Sequence, residues 1–239
     1  MRLDQYIKNK KDITRNKAQA IIKSWNVTVW WIKVTKTWYE VNDNDIIVIT
    51  ELDETNYVAR SAIKLKWLFE SNNMNIENKI ALDIWSSTGG FCQILLEKNI
   101  WKIYAVDVWT SQLHEKLRNN KKIIVKENTD IRKLEQLDDD IDIITCDVSF
   151  ISLNQIINSI NNFISDNTLV ILLFKPQFEV WTKYINRKWV VKNDNISQIK
   201  LNIFLDNCRD IWLKIIKTEE SKMKWENWNK EIFVMLQKN

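Results

Sequence analysis

Ala81-Leu82-Asp83-Ile84-Trp85-Ser86-Ser87-Thr88-Gly89-Gly90 is the stretch on which the fold turns. A short, mostly apolar strand runs into a turn of small residues, and a helical pattern starts at Gly90. Strand, tight turn and helix in that order open a β-α unit that brings backbone groups close to a ligand. The alternation continues outward. Helix 60–71 precedes strand 79–84, and helix 90–98 precedes strand 102–107. Strands are expected near 122–125, 141–146 and 169–174, with a helix near 152–163 between the last two. A helix over 195–208 leads to strands 211–217 and 231–236. The pattern predicts an α/β fold with a Rossmann-like, doubly wound, mostly parallel sheet.

Trp85 breaks the rule of its own turn. The backbone there must take positive φ and approach a ligand closely, which calls for glycine. The chain has 13 Trp and 2 Gly, where ordinary usage would give roughly 17 glycines. Trp30-Trp31 falls at a hairpin tip that wants Gly or Asn. Trp25 takes the usual glycine position after a helix. Trp38, Trp101, Trp109, Trp181, Trp189, Trp212, Trp225 and Trp228 fall at element ends or in loops, and only Trp67 lies inside a helix. Core tryptophans should follow hydrophobic periodicity, and these do not. The expectation is that the codon UGA means glycine in the source organism, so that the thirteen Trp stand for glycine.

The first 36 residues carry nine Lys/Arg against Asp4 and Asp12, although the whole chain is only +4. A basic module on a near-neutral body is a nucleic-acid footprint more often than a membrane one. Two short helices (2–9 and 15–24, Thr14 capping the second) precede strands at 27–29, 32–34 and 46–49. An acidic, polar linker over 51–56 closes this part. The expected division is therefore 1–56, a nucleic-acid-binding domain with its linker, and 57–239, the α/β domain. Arg2, Lys8, Lys10, Lys11, Arg15, Lys17 and Lys23 are the candidate nucleic-acid contacts, phosphate-directed and salt-dependent.

With glycine at 85, the stretch from Asp83 to Gly90 resembles the nucleotide-binding loop of S-adenosylmethionine-dependent methyltransferases. Candidate cofactor contacts are Asp83, Trp85, Ser87, Thr88, Gly89 and Gly90. Asp107, ending the next strand 24 residues after Asp83, suits ribose hydroxyls; Asp130, after the third strand, suits adenine. Four charged residues fall where an open sheet gathers its site. Lys64 precedes the first strand of this domain, Asp147 ends the fourth, Lys175 ends the fifth, and Glu231 opens the last. A buried lysine beside an acid and a second lysine can have its pKa lowered enough to act as a base.

Taken together, these residues resemble the TlyA family of ribosomal RNA 2′-O-methyltransferases, whose members also carry the name hemolysin A. The resemblance runs through Arg2-Leu3-Asp4, Thr14-Arg15, Lys17-Ala18, Tyr57 to Arg60, Lys64-Leu65, Ala81 to Phe91, Ala105 to Val108, Asp147 to Ser152, Lys175 to Glu179, Val190-Val191 and Asn229 to Phe233. Nearly every Trp stands where the family has glycine. Arg60-Ser61-Ala62 departs modestly from its Arg-Gly-Gly or Arg-Gly-Ala. The resemblance implies an alpha-L RNA-binding domain, an FtsJ-type methyltransferase domain and a catalytic set of Lys64, Asp147, Lys175 and Glu231. It implies 2′-O-ribose methylation, of cytidine, in ribosomal RNA or ribosomal subunits, with S-adenosylmethionine as donor. Lys175 would take the hydroxyl proton or stabilise the alkoxide. The alternative is a catalytically inactive RNA-binding or ribosome-assembly factor on the same fold.

Other classes find little support. The longest apolar run, Leu169 to Phe174, is far short of the roughly 18 residues of a membrane span. No secretory pattern opens the chain, and Cys92, Cys146 and Cys208 lack metal-ligand spacing. A cytoplasmic protein without membrane or metal partners is expected. His114 reads as structural or surface, Asp138-Asp139-Asp140 as a solvated loop, and Cys146 as a buried strand end.

Overall fold

The computed structural model describes residues 1–23, 27–30, 32–42, 45–49, 57–222 and 229–239. Trp25, Trp31, Trp225, Trp228 and the expected linker 51–56 lie outside the described residues. The chain divides into two compact units, Met1–Tyr57 and Val58–Asn239.

The first unit holds α1 (Leu3–Lys11), α2 (Arg15–Lys23), β1 (Val27–Val29), β2 (Ile32–Lys33) and β3 (Ile47–Ile49). The strands form an antiparallel sheet in the order β2-β1-β3. Leu3 and Ile7 of α1 and Ala18, Ile21 and Ile22 of α2 bury one face each in a shared core with Val27 and Val29. Thr14 caps α2, its hydroxyl accepting from the Lys17 N–H at 3.3 Å.

The second unit continues with α3 (Ser61–Ser71), β4 (Ile80–Ile84), α4 (Gly90–Glu97), β5 (Lys102–Val106), α5 (Glu115–Arg118), β6 (Ile123–Lys126) and β7 (Ile143–Cys146). After these come α6 (Ile157–Asn161), β8 (Leu169–Phe174), α7 (Pro176–Glu179), α8 (Asp194–Asp210), β9 (Leu213–Glu220) and β10 (Ile232–Lys238). Seven strands form one sheet in the order β6-β5-β4-β7-β8-β10-β9. The first five are parallel, and β10 runs antiparallel to both β8 and β9. This is the mostly parallel, Rossmann-like sheet expected. The central strands are buried on both faces, which is why they read as near-continuous apolar runs. One difference concerns 152–163: it is a turn of 3-10 helix at Leu153–Gln155 followed by the short α6. Ser152 starts the 3-10 turn by accepting from the Asn154 N–H, and the helix restarts only at Ile157.

Candidate functional site

Strand order reverses between β4 and β7. In open α/β sheets that switch point leaves a crevice at the carboxyl ends of the strands. Two cavities open there. One, of about 320 Å³, is lined by Asp83, Ser87, Thr88, Asp147, Ser149 and Lys175 among others. The other, of about 300 Å³, is lined by Asp107, Val108, Thr129, Asp130 and Ile131 among others. Trp85 lines both.

The loop between β4 and α4 is held from the neighbouring strand. The N–H groups of Trp85 and Ser86 donate to the Val106 carbonyl at 2.8 and 3.1 Å. Asp107 then ties two loops together, its carboxylate accepting from the N–H of Ser87 at 2.7 Å and of Trp109 at 2.9 Å. A carboxylate has about four acceptor positions, so two stay available for hydroxyls. Gly89 has φ +95°, and a Cβ on it would meet Leu117 and Leu113 side chains at 2.4 and 2.7 Å. A Cβ on Gly90 would meet the Ser61 hydroxyl at 2.2 Å. The two glycines thus let α4 begin hard against its neighbours, where its first turn closes the cavity. A small-residue loop, a strand-end carboxylate and a paired cavity fit a nucleoside-containing cofactor. Asp130, which lines the second cavity, is paired with Arg132 at 2.6 Å.

Trp85 has φ +64° in this loop. Trp30, Trp189 and Trp212 also have positive φ, at +50°, +61° and +65°. Seven of the nine described tryptophans (30, 38, 101, 109, 181, 189 and 212) are exposed. Tryptophan is ordinarily well buried, and a bulky residue at positive φ is an outlier.

Asp83 is fully buried. It accepts from the Thr145 hydroxyl at 2.7 Å and the Cys92 thiol at 3.0 Å. Burial pushes its carboxyl up to about 7, against the opposing pull of those two donors. Burial likewise pushes the Cys146 thiol far above its ordinary range, beyond use as a nucleophile near neutral pH.

The four charged residues form two ion pairs at the same end of the sheet. Lys175 Nζ lies 2.7 Å from Asp147 Oδ1 and donates to the Ser149 hydroxyl at 3.0 Å. Lys64 Nζ contacts Glu231 at 2.5 Å. Sheet register brings the pairs together: Ile232 of β10 is opposite Phe174 of β8, so Glu231 and Lys175 are adjacent across the strands. Only Lys175 and Asp147 line the first cavity. One expectation is corrected here. Burial alone would lower the Lys175 pKa, but the carboxylates of Asp147 and Glu231 outweigh it and raise it. In this state Lys175 is an ammonium, not a ready base.

Several site residues have no assignment from sequence. Ser149 partners Lys175; its place two residues after Asp147 was the available signal. Glu127 accepts from the N–H groups of Ser111, Gln112 and Leu113 and from Arg118, fixing the loop that carries Trp109 and Gln112 to the first cavity. Glu179 bonds Ser152 and the Leu153 N–H, bracing the segment after β7. Phe150, 78% exposed, packs against Phe178 with ring centroids 5.1 Å apart. Lys175 Nζ is 5.9 Å from the Phe178 ring. These contacts join residues distant in sequence, so no local pattern announces them.

In the first unit, Lys8, Lys10, Arg15 and Lys23 are exposed, and Arg2, Lys11 and Lys17 are half-buried. His114 caps α5 by accepting from the Lys116 N–H. Asp139 receives Lys102 and the Tyr104 hydroxyl, and no metal-holding cluster is present among the described residues. No described helix is long and apolar enough to cross a membrane.

Residues 57–238 match the family of FtsJ-like methyltransferases. A 23S rRNA (cytidine-2′-O)-methyltransferase TlyA from Campylobacter jejuni is 38% identical over the full length of both chains. Hemolysin A from Brachyspira hyodysenteriae is 34% identical, over 97% of each chain. Among solved structures, a Streptococcus thermophilus protein assigned to the hemolysins aligns with a TM-score of 0.75 and 26% identity, covering all of this chain and 88% of its own.

Proposed function

The chain belongs to the FtsJ-like methyltransferases, and from that premise we propose that it methylates a ribose 2′-hydroxyl, of cytidine, in ribosomal RNA in the cytoplasm. The observation that carries the proposal is one cavity lined both by the Asp83–Thr88 loop and by the Lys175–Asp147 pair. S-adenosylmethionine, when bound, supplies an electrophilic methyl group. Asp83, Ser87, Thr88, Gly89 and Gly90 would hold its amino-acid end, Asp107 its ribose and Asp130 its base. The Lys175 ammonium, held by Asp147 and Ser149, donates to the 2′-oxygen and stabilises negative charge developing there. The hydroxyl proton passes to the Asp147 carboxylate as the oxygen becomes an ether. Lys64 and Glu231 keep the pair in register and balance its charge. Phe150 and Phe178 offer a stacking surface for the target base, as unstacked RNA bases require. The basic face of the first unit, an alpha-L type RNA-binding domain on this reading, docks on folded RNA through Arg2, Lys8, Lys10, Lys11, Arg15, Lys17 and Lys23. The test is transfer of labelled methyl to 23S ribosomal RNA, with the modified position mapped. Lys175→Ala should abolish transfer and keep S-adenosylhomocysteine binding. Turnover by that variant would overturn the assignment of Lys175.

The tryptophans belong to the same proposal. Glycine at the thirteen positions, encoded by UGA, accounts for indoles at positive φ, for their exposure, and for the one that stands where the two cavities meet. Without the Trp85 side chain the cavities become one groove long enough for amino acid, ribose and base. A genuine Trp85 favours the second reading, an RNA-binding protein with an obstructed cofactor site. Peptide mass spectrometry of the native protein across Ala81–Gly90 decides between them.

A further inference from the structure

We infer that Asp4 is the positioning residue of a two-arginine phosphate clamp on the first unit, built from Arg2 and Arg15. The inference rests on the RNA-binding reading above. Asp4 is fully buried, yet every partner of its carboxylate is a polar side chain that reaches it from nearer the surface. Arg2 grips it with two nitrogens, Nε to Oδ1 at 3.1 Å and Nη2 to Oδ2 at 3.0 Å. Arg15 gives Nε to Oδ2 at 3.1 Å, and Gln19 gives Nε2 to the same oxygen at 2.9 Å. The Arg2 and Arg15 side chains stay 42% and 50% exposed. Arg15 spends one of its five N–H donors on Asp4 and Arg2 spends two. The remaining fork edges are fixed in direction and match the bidentate geometry of phosphate.

A plain helix staple would not need this charge. A buried carboxylate costs desolvation, and apolar residues hold two helices together as well or better. That apolar staple is already present in Leu3, Ile7, Ala18, Ile21 and Ile22. The start of α1 is also held by backbone, with the Leu3 and Asp4 N–H groups donating to the carbonyls of Tyr39 and Thr37 at 2.8 and 3.1 Å. Burial raises the Asp4 pKa, but the bonds from Arg2, Gln19 and Arg15 overcome it and hold the carboxyl far below the usual range. The anion is therefore permanent, and what it accomplishes beyond the apolar staple is to aim two arginines that would otherwise sample many rotamers.

The test sets positioning against bare charge. Asp4→Asn adds one unit of positive charge to the RNA-facing unit, so a simple basic patch should bind a labelled RNA hairpin more tightly. The clamp gives the opposite result for the full chain: a dissociation constant about tenfold higher and a salt dependence shallower by about one phosphate contact, roughly 0.7–0.9 in log–log slope. Unchanged or tighter binding by folded Asp4→Asn overturns the clamp. Should that variant fail to fold, Arg15→Lys decides. It keeps the charge and loses the fork, so the clamp requires it to bind as weakly as Arg15→Ala; binding like the unaltered chain overturns it. Failure of the unaltered chain to bind RNA would instead overturn the RNA reading beneath.

Discussion

Replacing Trp85, Trp189 and Trp212 with glycine in the chain synthesised with tryptophan should stabilise the second unit and open its cofactor groove. Each of the three has φ above +60°. Holding a bulky L-residue there costs about 1–2 kcal/mol. Glycine returns about 0.4–1 kcal/mol of that through the greater freedom of the unfolded chain. Trp212 and Trp189 are 74% and 52% exposed, so truncating them gives up little buried area. Trp85 packs on the core, and losing that contact offsets much of its relief. The net gain is about 1–3 kcal/mol for the triple variant. For a unit of this size that corresponds to a melting temperature higher by roughly 3–10 °C. The second readout is S-adenosylhomocysteine binding by calorimetry, expected to be weak or absent in the tryptophan form and clear after Trp85→Gly alone. A tryptophan form that melts as high as the triple variant and binds the ligand equally well would refute both the strain argument and the codon reading.

Further expectations concern proton chemistry and loop order. Because Asp147 and Glu231 keep Lys175 protonated, kcat should be flat between about pH 7 and 9, while a rise of about tenfold per pH unit would mean that Lys175 must first lose its proton. Glu127, held down to about 2 because Arg118 and three backbone N–H groups outweigh its burial, is the anchor of loop 111–113. Glu127→Gln should raise the KM for S-adenosylmethionine by about three- to tenfold with kcat nearly kept; an unchanged KM would sink the anchoring role. Phe150→Ala should raise the KM for RNA about tenfold, the worth of one stacked base, without changing cofactor affinity. Asp83, with its folded pKa raised to about 7, binds a proton in the folded state that the unfolded chain has already released. It therefore makes stability fall as pH rises from about 4 to 7. Urea titrations should show that loss relative to Asp83→Asn; parallel pH profiles would exclude it.

What the sequence made legible was the part governed by local pattern. The alternation of apolar runs and helical periods gave the parallel core of the sheet, because strands buried on both faces need continuous apolar residues. Lys64, Asp147, Lys175 and Glu231 could be grouped because each falls at an element end that an open sheet collects on one rim. Their pairing was not legible, since it depends on the antiparallel register of β10 on β8. That same register reversed the expected direction of the Lys175 shift: Glu231 lies alongside as a second carboxylate, and two anions outweigh burial. Asp83 shows a different limit. Its position in the loop motif suggested contact with the cofactor, and it lines the first cavity, but no pattern announced its partners, Thr145 on the adjacent strand and Cys92 on the following helix. Neither residue type signals such a role, and only the packing of α4 against the sheet brings the thiol within reach.

Trp85 is the case in which pattern and geometry constrain each other. Sequence reasoning required a residue tolerant of positive φ at the turn after β4, and the backbone takes φ +64° there although an indole occupies the site. The fold therefore imposes the conformation and the side chain does not select it. Two neighbours explain why. The Trp85 and Ser86 N–H groups are both committed to the Val106 carbonyl, and Asp107 captures the Ser87 N–H one residue later. Those three bonds hold the loop on either side of the turn at residue 85. The side chain at that turn lines both cavities, the one that includes Asp83 and the one that includes Asp107. On the proposed reading glycine answers two requirements at one position, the backbone torsion and the joining of the two cavities.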